Sequence, residues 1–463
     1  MKRRDFLAGG TGLAALGASG ALSTLNAMSP VVAQELVVQH ASFDLKDQAT
    51  QGMVSLSPNA PPPVIYGQKG KPLKLRVTNQ LDDYTAMHWH GLRIPNGMDG
   101  VPYLTQFPIG AGESFDYEFT PPDAGTYWYH PHCRTMEQMA HGLTGVMVIA
   151  EDEEIGFDSE EVINLRDFRL NDDGSFLPYF TPRGAARSGT FGNLQTANWL
   201  QQPIYDHAAG SLVRLRVANT DTTRIYKLRL GTNNAKIIAW DGHPVRVDLT
   251  LPSKEDPLLV GPGQRVDFAV RMPSSEGETV DLIAELPGYN TRIMASLRAI
   301  GADIGRDLLD LRPLPENPVQ MPDPTQANLH EFVFGWTPEG EAPDDGLCGT
   351  LGYSFWSINR TPWAGDAAPN VGPLATLERG KHYVLRLRNE SPNLHPIHLH
   401  GLIFVPIRSN KRQLPPLLTD TMLLLKDEII DIALVADNPG DWAFHCHVIE
   451  HQKSGLAGYI RVT

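Results

Sequence analysis

The sequence predicts an all-β protein made of three consecutive β-sandwich domains, and three observations carry that prediction. Its 463 residues contain 42 Gly and 37 Pro, spread along the whole chain. Apolar and polar residues alternate in many short runs, whereas the periodicity of helices is scarce. One strand pattern also occurs three times at domain-sized intervals. Many short strands separated by Gly and Pro turns are typical of sandwich folds.

The first predicted segment is an export signal at residues 1–33. A charged start with the adjacent Arg3 and Arg4 precedes a weak Ala/Gly/Leu stretch and a small-residue cleavage pattern. The arginine pair followed by Phe6 resembles a twin-arginine signal, for which the alternative is an ordinary secretory signal. The apolar stretch is too weak for a membrane anchor. We therefore expect the twin-arginine export machinery as a partner and a mature chain that begins near Gln34 in the bacterial periplasm.

A threefold internal repeat divides the rest of the chain. Residues 73–79, 213–219 and 383–389 read LKLRVTN, VRLRVAN and YVLRLRN, with apolar side chains at alternate positions and a final Asn. Such a stretch is typical of a half-buried strand that ends in a turn. The repeats lie about 140 and about 170 residues apart, which is the size of a domain. The predicted domains span residues 34–150, 151–312 and 313–463.

Histidine pairs follow the same repeat. The first and third domains each carry two His-x-His pairs, whereas the middle domain has Leu-x-Leu after its repeat. The pairs are His88/His90, His130/His132, His398/His400 and His445/His447. Alternate residues of a strand share one face, so eight imidazoles from two domains can face one another. Ordinary core or surface histidines are the alternative for a single pair, but pairs at equivalent positions predict a metal cluster shared by the first and third domains.

Cys446 lies between the two histidines of the last pair. A strand directs His445 and His447 to one side and Cys446 to the other. A thiolate combined with imidazoles suits copper in an electron-transfer site, whereas the opposite side is all-imidazole. The two sites would be joined by a covalent path of about 10 Å. Electrons would enter at the thiolate site and be used for chemistry at the all-imidazole site, and this division of roles predicts an oxidase.

The net charge and the cysteine content bear on the class of function and on the expected disulfides. The formal net charge of −14 argues against nucleic-acid binding. Besides Cys446 there are two cysteines, Cys133 and Cys348. Two free thiols are the expectation, and a disulfide in an oxidising compartment is the alternative. A monomer is expected.

Four motifs together resemble the copper motifs of the three-domain multicopper oxidases, in particular the bacterial laccase-like members. They are His88-Trp89-His90-Gly91, His130-Pro131-His132, His395-Pro396-x-His398-x-His400-Gly401 and His445-Cys446-His447-x3-His451-x3-Gly455-Leu456. The resemblance covers essentially the whole mature chain. It implies three consecutive cupredoxin-like Greek-key β-sandwich domains and four copper ions per chain, one of type 1, one of type 2 and two of type 3.

The resemblance also implies which residues hold each ion. The type 1 ion would be held by His395, Cys446 and His451. The type 2 ion would be held by His88 and His398. One type 3 ion would be held by His90, His130 and His447, and the other by His132, His400 and His445. Leu456 occupies the axial position of the type 1 site, where it offers no ligand.

Asp99 is the candidate catalytic residue. It stands where the family keeps an acidic residue beside the type 2 copper, and O2 reduction needs protons. A turn residue in a Gly-rich loop is the alternative, and the two roles are compatible. A second relay carboxylate in the family directly follows the last type 1 histidine, but this chain has Gln452 there. Glu450, Glu137 or water would have to substitute, or turnover is slower at neutral pH.

The expected reaction is one-electron oxidation of phenols and aromatic amines, coupled to reduction of O2 to water at the trinuclear cluster. Oxidation of cuprous or ferrous ions is the second interpretation. Domain three has only Met321 and Met422, which does not support the Met-rich insertion of specialised cuprous oxidases. Two other classes fit less well: a copper nitrite reductase would have two domains, and a non-enzymatic periplasmic scaffold would have lost copper ligands.

Overall fold

The computed structural model describes residues 33–46, 49–286, 291–336, 346–366 and 372–463. Apart from Ala33, the predicted signal segment lies outside the described residues. Residues 33–463 belong to one compact unit. Within the described part of the chain, no helix is long and apolar enough to cross a membrane.

The first sheet pair is formed by residues 34–150. Its strands are β1 (Gln34–Asp44), β2 (Ala49–Ser55), β3 (Ile65–Gln68), β4 (Leu73–Asn79), β5 (Met87–His90), β6 (Ser114–Phe119), β7 (Gly125–Pro131) and β8 (Gly145–Ala150), with helix α1 (Thr135–Ala140) and a 3-10 turn at Asn96–Met98. The strand orders are β2-β1-β4-β6 and β3-β8-β7-β5. Apolar residues of both sheets, Trp89 and Tyr127 among them, meet in one buried core.

The middle sheet pair follows. Its strands are β9 (Ser159–Phe168), β10 (Leu194–Ala197), β11 (Ile204–Ala208), β12 (Leu212–Asn219), β13 (Tyr226–Leu230), β14 (Ala235–Trp240), β15 (His243–Pro244), β16 (Leu258–Val260), β17 (Arg265–Arg271), β18 (Thr279–Glu285) and β19 (Arg292–Ile300), with helix α2 (Pro182–Ala185). The orders are β10-β9-β12-β17-β14-β15 and β11-β19-β18-β13-β16. Leu228 and Leu230, which replace the His pair of the other repeats, lie in the core between these sheets.

The third sheet pair completes the chain. Its strands are β20 (Asn328–Trp336), β21 (Trp356–Ile358), β22 (Ala375–Leu377), β23 (His382–Asn389), β24 (His395–Leu399), β25 (Phe404–Ser409), β26 (Thr421–Leu424), β27 (Ile429–Val435), β28 (Gly440–Cys446) and β29 (Ala457–Val462), with helix α3 (Ile449–Lys453). Two 3-10 turns, Leu308–Asp310 and Pro324–Gln326, precede it. The orders are β21-β20-β23-β27-β25 and β22-β29-β28-β24-β26.

The three sheet pairs repeat one strand arrangement. The strands β4, β12 and β23, which contain the repeated sequence, each pair in parallel with the opening strand of their segment and antiparallel with a later strand. In β4, Leu75 and Val77 are buried and Arg76 is exposed, as the alternating pattern predicts. The all-β prediction is confirmed. The domain boundaries after residues 150 and 312 stay predictions.

The expectation of free thiols at Cys133 and Cys348 is wrong, because the two form a disulfide. Cys133 follows β7, and Cys348 precedes β21. The backbone N–H of Arg134 donates to the carbonyl of Cys348 across 3.2 Å, so the two segments already run side by side. Cys446 is the free cysteine of the three.

Removing this disulfide should destabilise the protein markedly. The bond closes a separation of 215 residues, and the loss of a native disulfide typically costs about 2–5 kcal/mol of unfolding free energy. We expect the Cys133→Ser/Cys348→Ser double variant to unfold at lower denaturant concentration than the wild type under non-reducing conditions. Wild type measured in reductant is the control, and equal stability of the two oxidised samples would contradict the prediction.

Candidate metal centre

Four strands bring the eight paired histidines together. In the first sheet pair, β5 runs antiparallel to β7 and places His88 directly opposite His130. In the third, β24 runs antiparallel to β28 and places His398 directly opposite His445. The second member of each His-x-His pair lies two residues further along, so it faces the same side as the first. Each sheet pair therefore offers a patch of four imidazoles.

The two patches meet face to face. The rings of His88 and His400 stack with centroids 3.9 Å apart, and those of His90 and His398 stack at 3.7 Å. All eight histidines are buried. The predicted cluster shared by the first and third sheet pairs is thus brought together in the fold.

The hydrogen bonds of these rings leave several nitrogens free to bind a metal. His88 Nδ1 lies 2.7 Å from the carbonyl of Asp99, and His398 Nδ1 lies 2.9 Å from the carbonyl of Asp420. Since a carbonyl only accepts, each of these nitrogens carries its proton and the opposite Nε2 keeps a free lone pair. Both Nε2 atoms are buried without a hydrogen-bond partner, as are Nε2 of His130 and Nδ1 of His90. Unpaired buried polar atoms are costly, and binding of a metal by these lone pairs would remove the cost.

Burial also keeps the imidazoles neutral, which is the form that binds metals. Burial and the neighbouring histidines lower the pKa of His130, His132, His400, His445 and His447 well below the usual value. Burial therefore favours the neutral, metal-binding form of these five histidines.

Most of the predicted ligand groups recur in the donor distances. Donor atoms lie within 4.8 Å of one another in three histidine groups, namely His132/His400/His445, His88/His398/His400 and His88/His90/His130. The first equals one predicted type 3 set, and the second contains the predicted type 2 pair. Among the described residues, no such group includes His447. Its ring centroid lies 4.9 Å from that of His90 and 5.3 Å from that of His130.

Cys446 belongs to a separate group on the other side of β28. Its Sγ lies 3.5 Å from Nδ1 of His395 and 3.5 Å from Nδ1 of His451. His445, the preceding residue, instead points its Nε2 to within 3.0 Å of His400 Nε2. The thiolate site and the histidine cluster therefore lie on opposite faces of one strand, as alternation predicts.

The thiolate site is closed to solvent. His395 and His451 are fully buried. Nε2 of His451 donates to the carbonyl of Arg187 at 2.6 Å, and Nε2 of His395 lies 2.8 Å from Ser391 Oγ. Each ring therefore presents Nδ1 to Cys446 while its outer nitrogen is occupied. Leu456 is buried in the same apolar core as Cys446, and its carbonyl accepts from the backbone N–H of Cys446 at 3.0 Å.

Asp99 lies against the histidine cluster. Its carboxylate contacts Nδ1 of His400 at 2.9 Å and Nδ1 of His88 at 3.2 Å. The loop reaches this depth because Gly100 has φ +81 and a Cβ there would lie 1.8 Å from the carbonyl oxygen of Met87. Asp99 thus holds one histidine from each sheet pair, His400 by its carboxylate and His88 by its backbone carbonyl.

Gln452, which stands where the family keeps a second relay carboxylate, and its two candidate substitutes, Glu450 and Glu137, take different positions. Gln452 Nε2 lies 3.5 Å from Nε2 of His132, so this side chain reaches the cluster as an amide. The carboxylate of Glu450 accepts from the backbone N–H of Thr190 at 2.5 Å and from its hydroxyl at 3.1 Å. Glu137 is half-buried in α1. Of the three, Gln452 contacts a cluster histidine directly.

Asp420 is a residue of the site that sequence reasoning missed. Its buried carboxylate lies 3.1 Å from His90 Nε2 and 3.3 Å from His398 Nδ1, and Arg265 of β17 binds it at 2.7 Å. Burial raises the pKa of Asp420, but Arg265 and the two histidines outweigh burial and hold it well below the usual range. Asp420 lies beyond β25 and directly before β26, and no spacing pattern in the sequence marks it.

The middle sheet pair supplies a wall of the cluster without supplying ligands. Gly263, in the turn before β17, has φ +93, and a Cβ there would lie 3.0 Å from His90 Cε1 and 3.2 Å from His447 Cδ2. The turn therefore packs directly on two cluster histidines. A side chain at this position would have to displace them.

Comparisons with known proteins agree with this geometry. Residues 37–154 and 349–463 match two family profiles described as multicopper oxidase. A crystal structure of a multi-copper oxidase from Pseudomonas thermotolerans is 37% identical with a TM-score of 0.82, over 93% of this chain and 99% of that one. Multicopper oxidase MmcO of Mycobacterium tuberculosis is 28% identical over 96% of this chain and 91% of its own. Laccase-2 of Fomitopsis schrenkii is 27% identical over 96% of this chain and 90% of its own.

Proposed function

The chain belongs to the multicopper oxidase family, and on that premise we propose that it is a laccase-like enzyme with four copper ions that oxidises phenols and aromatic amines. As a member of the family it is a copper-binding oxidoreductase that uses O2. The observation that carries the proposal is the placement of Cys446 and His445 on opposite faces of β28, each among the ligands of a different site.

The proposed ligand sets follow the donor groups. His395, Cys446 and His451 hold the type 1 ion, and His88 with His398 hold the type 2 ion. The type 3 ions are held by His132, His400 and His445 and by His90, His130 and His447. His447 joins the last set because both of its ring nitrogens are buried without a partner and its ring packs against His90.

When bound, copper supplies one-electron acceptance at the thiolate site and four-electron reduction of O2 at the histidine cluster. The chain itself connects the thiolate site to the histidine cluster, because one peptide unit on either side of Cys446 links it to His445 and His447. It also supplies rigidity: Asp99 and Asp420 each hold Nδ1 or Nε2 of two cluster histidines. Fixed outer nitrogens orient the free lone pairs before the metal arrives.

Asp99 is proposed to handle protons at the cluster. It is the buried carboxylate that touches both His88 and His400, so a proton can be held at its oxygens within hydrogen-bond distance of the ligand rings. Gln452 cannot carry a proton as an acid, and Glu450 is bound by Thr190. Water beside Gln452 is the proposed second path.

The surroundings of the thiolate site support aromatic donors over metal ions. Ferrous or cuprous ions would need free oxygen or sulfur ligands near His395 or His451. Among the described residues of this region, the carboxylate of Glu450 is engaged with Thr190, and that of Asp366 with Lys453 and with the indole N–H of Trp363. Members of the family act on phenols or on reduced metal ions, and reduced metal ions are the second candidate.

Oxygen uptake by the copper-loaded protein tests the proposal. The donors compared are 2,6-dimethoxyphenol, an aromatic amine, Cu(I) and Fe(II), each corrected for uptake without protein. We expect faster uptake with the two aromatic donors. Oxygen uptake with Cu(I) or Fe(II) but not with the aromatic donors would make reduced metal ions the donor class. No oxygen uptake with any of the four donors would overturn the proposed oxidase activity.

Leu456 is proposed to raise the reduction potential of the thiolate site. A methionine there would add a weak axial ligand that stabilises Cu(II), whereas leucine adds none. We expect Leu456→Met to lower the potential measured by redox titration of the blue absorption. Leu456→Ile, which adds no donor atom, is the matched control. An unchanged or higher potential in Leu456→Met would contradict the assignment.

We also propose that the chain works in the periplasm as a monomer, exported by the twin-arginine route. The Cys133–Cys348 disulfide supports an oxidising compartment. Export of a folded, metal-loaded protein would explain the arginine pair. Cell fractionation of an Arg3→Lys/Arg4→Lys variant tests the route, since the variant should stay in the cytoplasm.

A further inference from the structure

Both histidines of the thiolate site are out of reach of a donor in solution. Each ring is fully buried, and each outer nitrogen already contacts Arg187 or Ser391. An electron must therefore cross at least one further group between the surface and the ligands.

Two tryptophans connect the ligands to the surface. Trp356 is fully buried, and its ring centroid lies 5.0 Å from that of His395 and 4.7 Å from that of His451. Trp336 is its direct cross-strand partner in the pairing of β20 with β21, with centroids 5.9 Å apart. Phe355 fills the side of the pair, 5.3 Å from Trp356 and 6.0 Å from Trp336.

Trp336 is also the accessible end of this chain of rings. Its side chain is 48% exposed, whereas Trp356 is 0% exposed. All eight tryptophans lie in the described part of the chain, and Trp336 is the most exposed of them. An exposed indole offers a face on which phenols stack and protonated amines bind by cation–π attraction.

We propose that Trp336 is the docking residue for aromatic donors, and that the electron passes from the stacked donor through the rings of Trp336 and Trp356 to His395 or His451. This inference rests on the proposed function. In each step a phenol would lose one electron and release its hydroxyl proton to water, leaving a phenoxyl radical, and that electron would reduce the Cu(II) that His395, Cys446 and His451 would hold to Cu(I). The indoles provide contact and orbital overlap and are unchanged at the end of the step.

Trp356 is a positioning residue as well as a bridge. Its indole N–H donates to the carbonyl of Ala185 at 2.7 Å, which fixes the ring against both histidines. The same segment of the middle sheet pair carries Arg187, whose carbonyl caps His451. A competing electron path from a donor to His451 would therefore run through residues 187–191, where Phe191 is exposed.

Anaerobic mixing experiments separate the two routes. The copper-loaded wild type, Trp336→Leu, Trp336→Phe and Phe191→Leu are each mixed with 2,6-dimethoxyphenol or with Fe(II), and the bleaching of the blue absorption is followed in time. We expect Trp336→Leu to slow bleaching by the phenol about tenfold or more, as for the loss of a contact that positions a reactant. Trp336→Phe should restore most of the rate because it keeps an aromatic face. Bleaching by Fe(II), and by the phenol in Phe191→Leu, should be unchanged.

A second measurement does not depend on turnover. In copper-free protein, 2,6-dimethoxyphenol should quench tryptophan emission in the wild type and lose that effect in Trp336→Leu. Redox titration should give the same potential for the wild type and both Trp336 variants. A changed potential would reassign Trp336 to tuning the site and would overturn the docking role.

The outcomes distinguish the inference from the proposal beneath it. A wild type that binds copper without a blue absorption would overturn the proposed function. A blue wild type whose bleaching by the phenol is unaffected by Trp336→Leu would overturn the inference alone. Slower bleaching by the phenol in Phe191→Leu, with a normal rate in Trp336→Leu, would also overturn the inference. The docking site of the phenol would then lie beside Arg187.

Discussion

Copper-loaded protein with Cys446→Ser is expected to lose its blue absorption and all donor oxidation while keeping the copper held by the eight histidines. The hydroxyl of serine is a poor replacement for the thiolate that selects copper in an electron-transfer site. The substitution also removes the sulfur from the covalent path between the two sites. Metal analysis should find one copper ion fewer per chain than in the wild type, and oxygen uptake with a phenol should fall to the uncatalysed rate.

A matched control is available on the same chain. Cys348→Ser removes a sulfur from the disulfide, which lies outside the thiolate site, and the blue absorption should survive that change wherever the variant folds. Retention of the blue absorption in Cys446→Ser would contradict the assignment of the thiolate. Loss of all copper from Cys446→Ser would instead contradict the separation of the two sites.

The second large effect is expected from Asp99→Asn, which should keep the blue absorption and lose most O2 reduction. Asparagine has nearly the same size, but its amide cannot hold a proton for transfer, and only its oxygen can accept from a protonated ring nitrogen. Loss of a positioned proton-transfer group typically costs about 10²–10⁴-fold in rate. Anaerobic bleaching by a phenol should proceed at the wild-type rate, whereas recovery of the blue absorption after O2 is added should be slow.

Asp420→Asn separates proton transfer from positioning. Its carboxylate also contacts two cluster histidines, but it is bound by Arg265, so its loss removes orientation and charge balance. Because Asp420→Asn should misplace histidines, we expect it to lose copper from the cluster, which metal analysis detects. Asp99→Asn should keep a full complement of copper. Wild-type turnover in Asp99→Asn would remove Asp99 from the proton path.

Much of the site could be predicted from the sequence because strand geometry is local. Side chains alternate between two faces whatever lies beyond the strand, so the opposite directions of Cys446 and His445 follow from their adjacency. The same alternation identifies the buried positions of β4. The threefold repeat then shows that the histidine pairs of the first and third segments occupy equivalent places, and the middle segment, with leucines there, has none.

Other features depend on how the three sheet pairs pack on one another. Cys133 and Cys348 meet although 215 residues separate them, and their expected free state was wrong for that reason. Arg265 of the middle pair reaches Asp420 of the third, and the turn at Gly263 closes the cluster. These contacts join residues that share no period or spacing, so they leave no trace in a single chain.

The thiolate site illustrates the division between the two kinds of information. The sequence identifies His395, Cys446 and His451 through motifs that resemble those of the family, and a thiolate combined with imidazoles suits copper in an electron-transfer site. Access to that site is decided by long-range packing: a backbone carbonyl from the middle sheet pair caps His451, and a cross-strand indole pair leads outward instead. Chemistry of the ligands is a property of side chains, whereas exposure of the ligands is a property of the assembled surfaces around them.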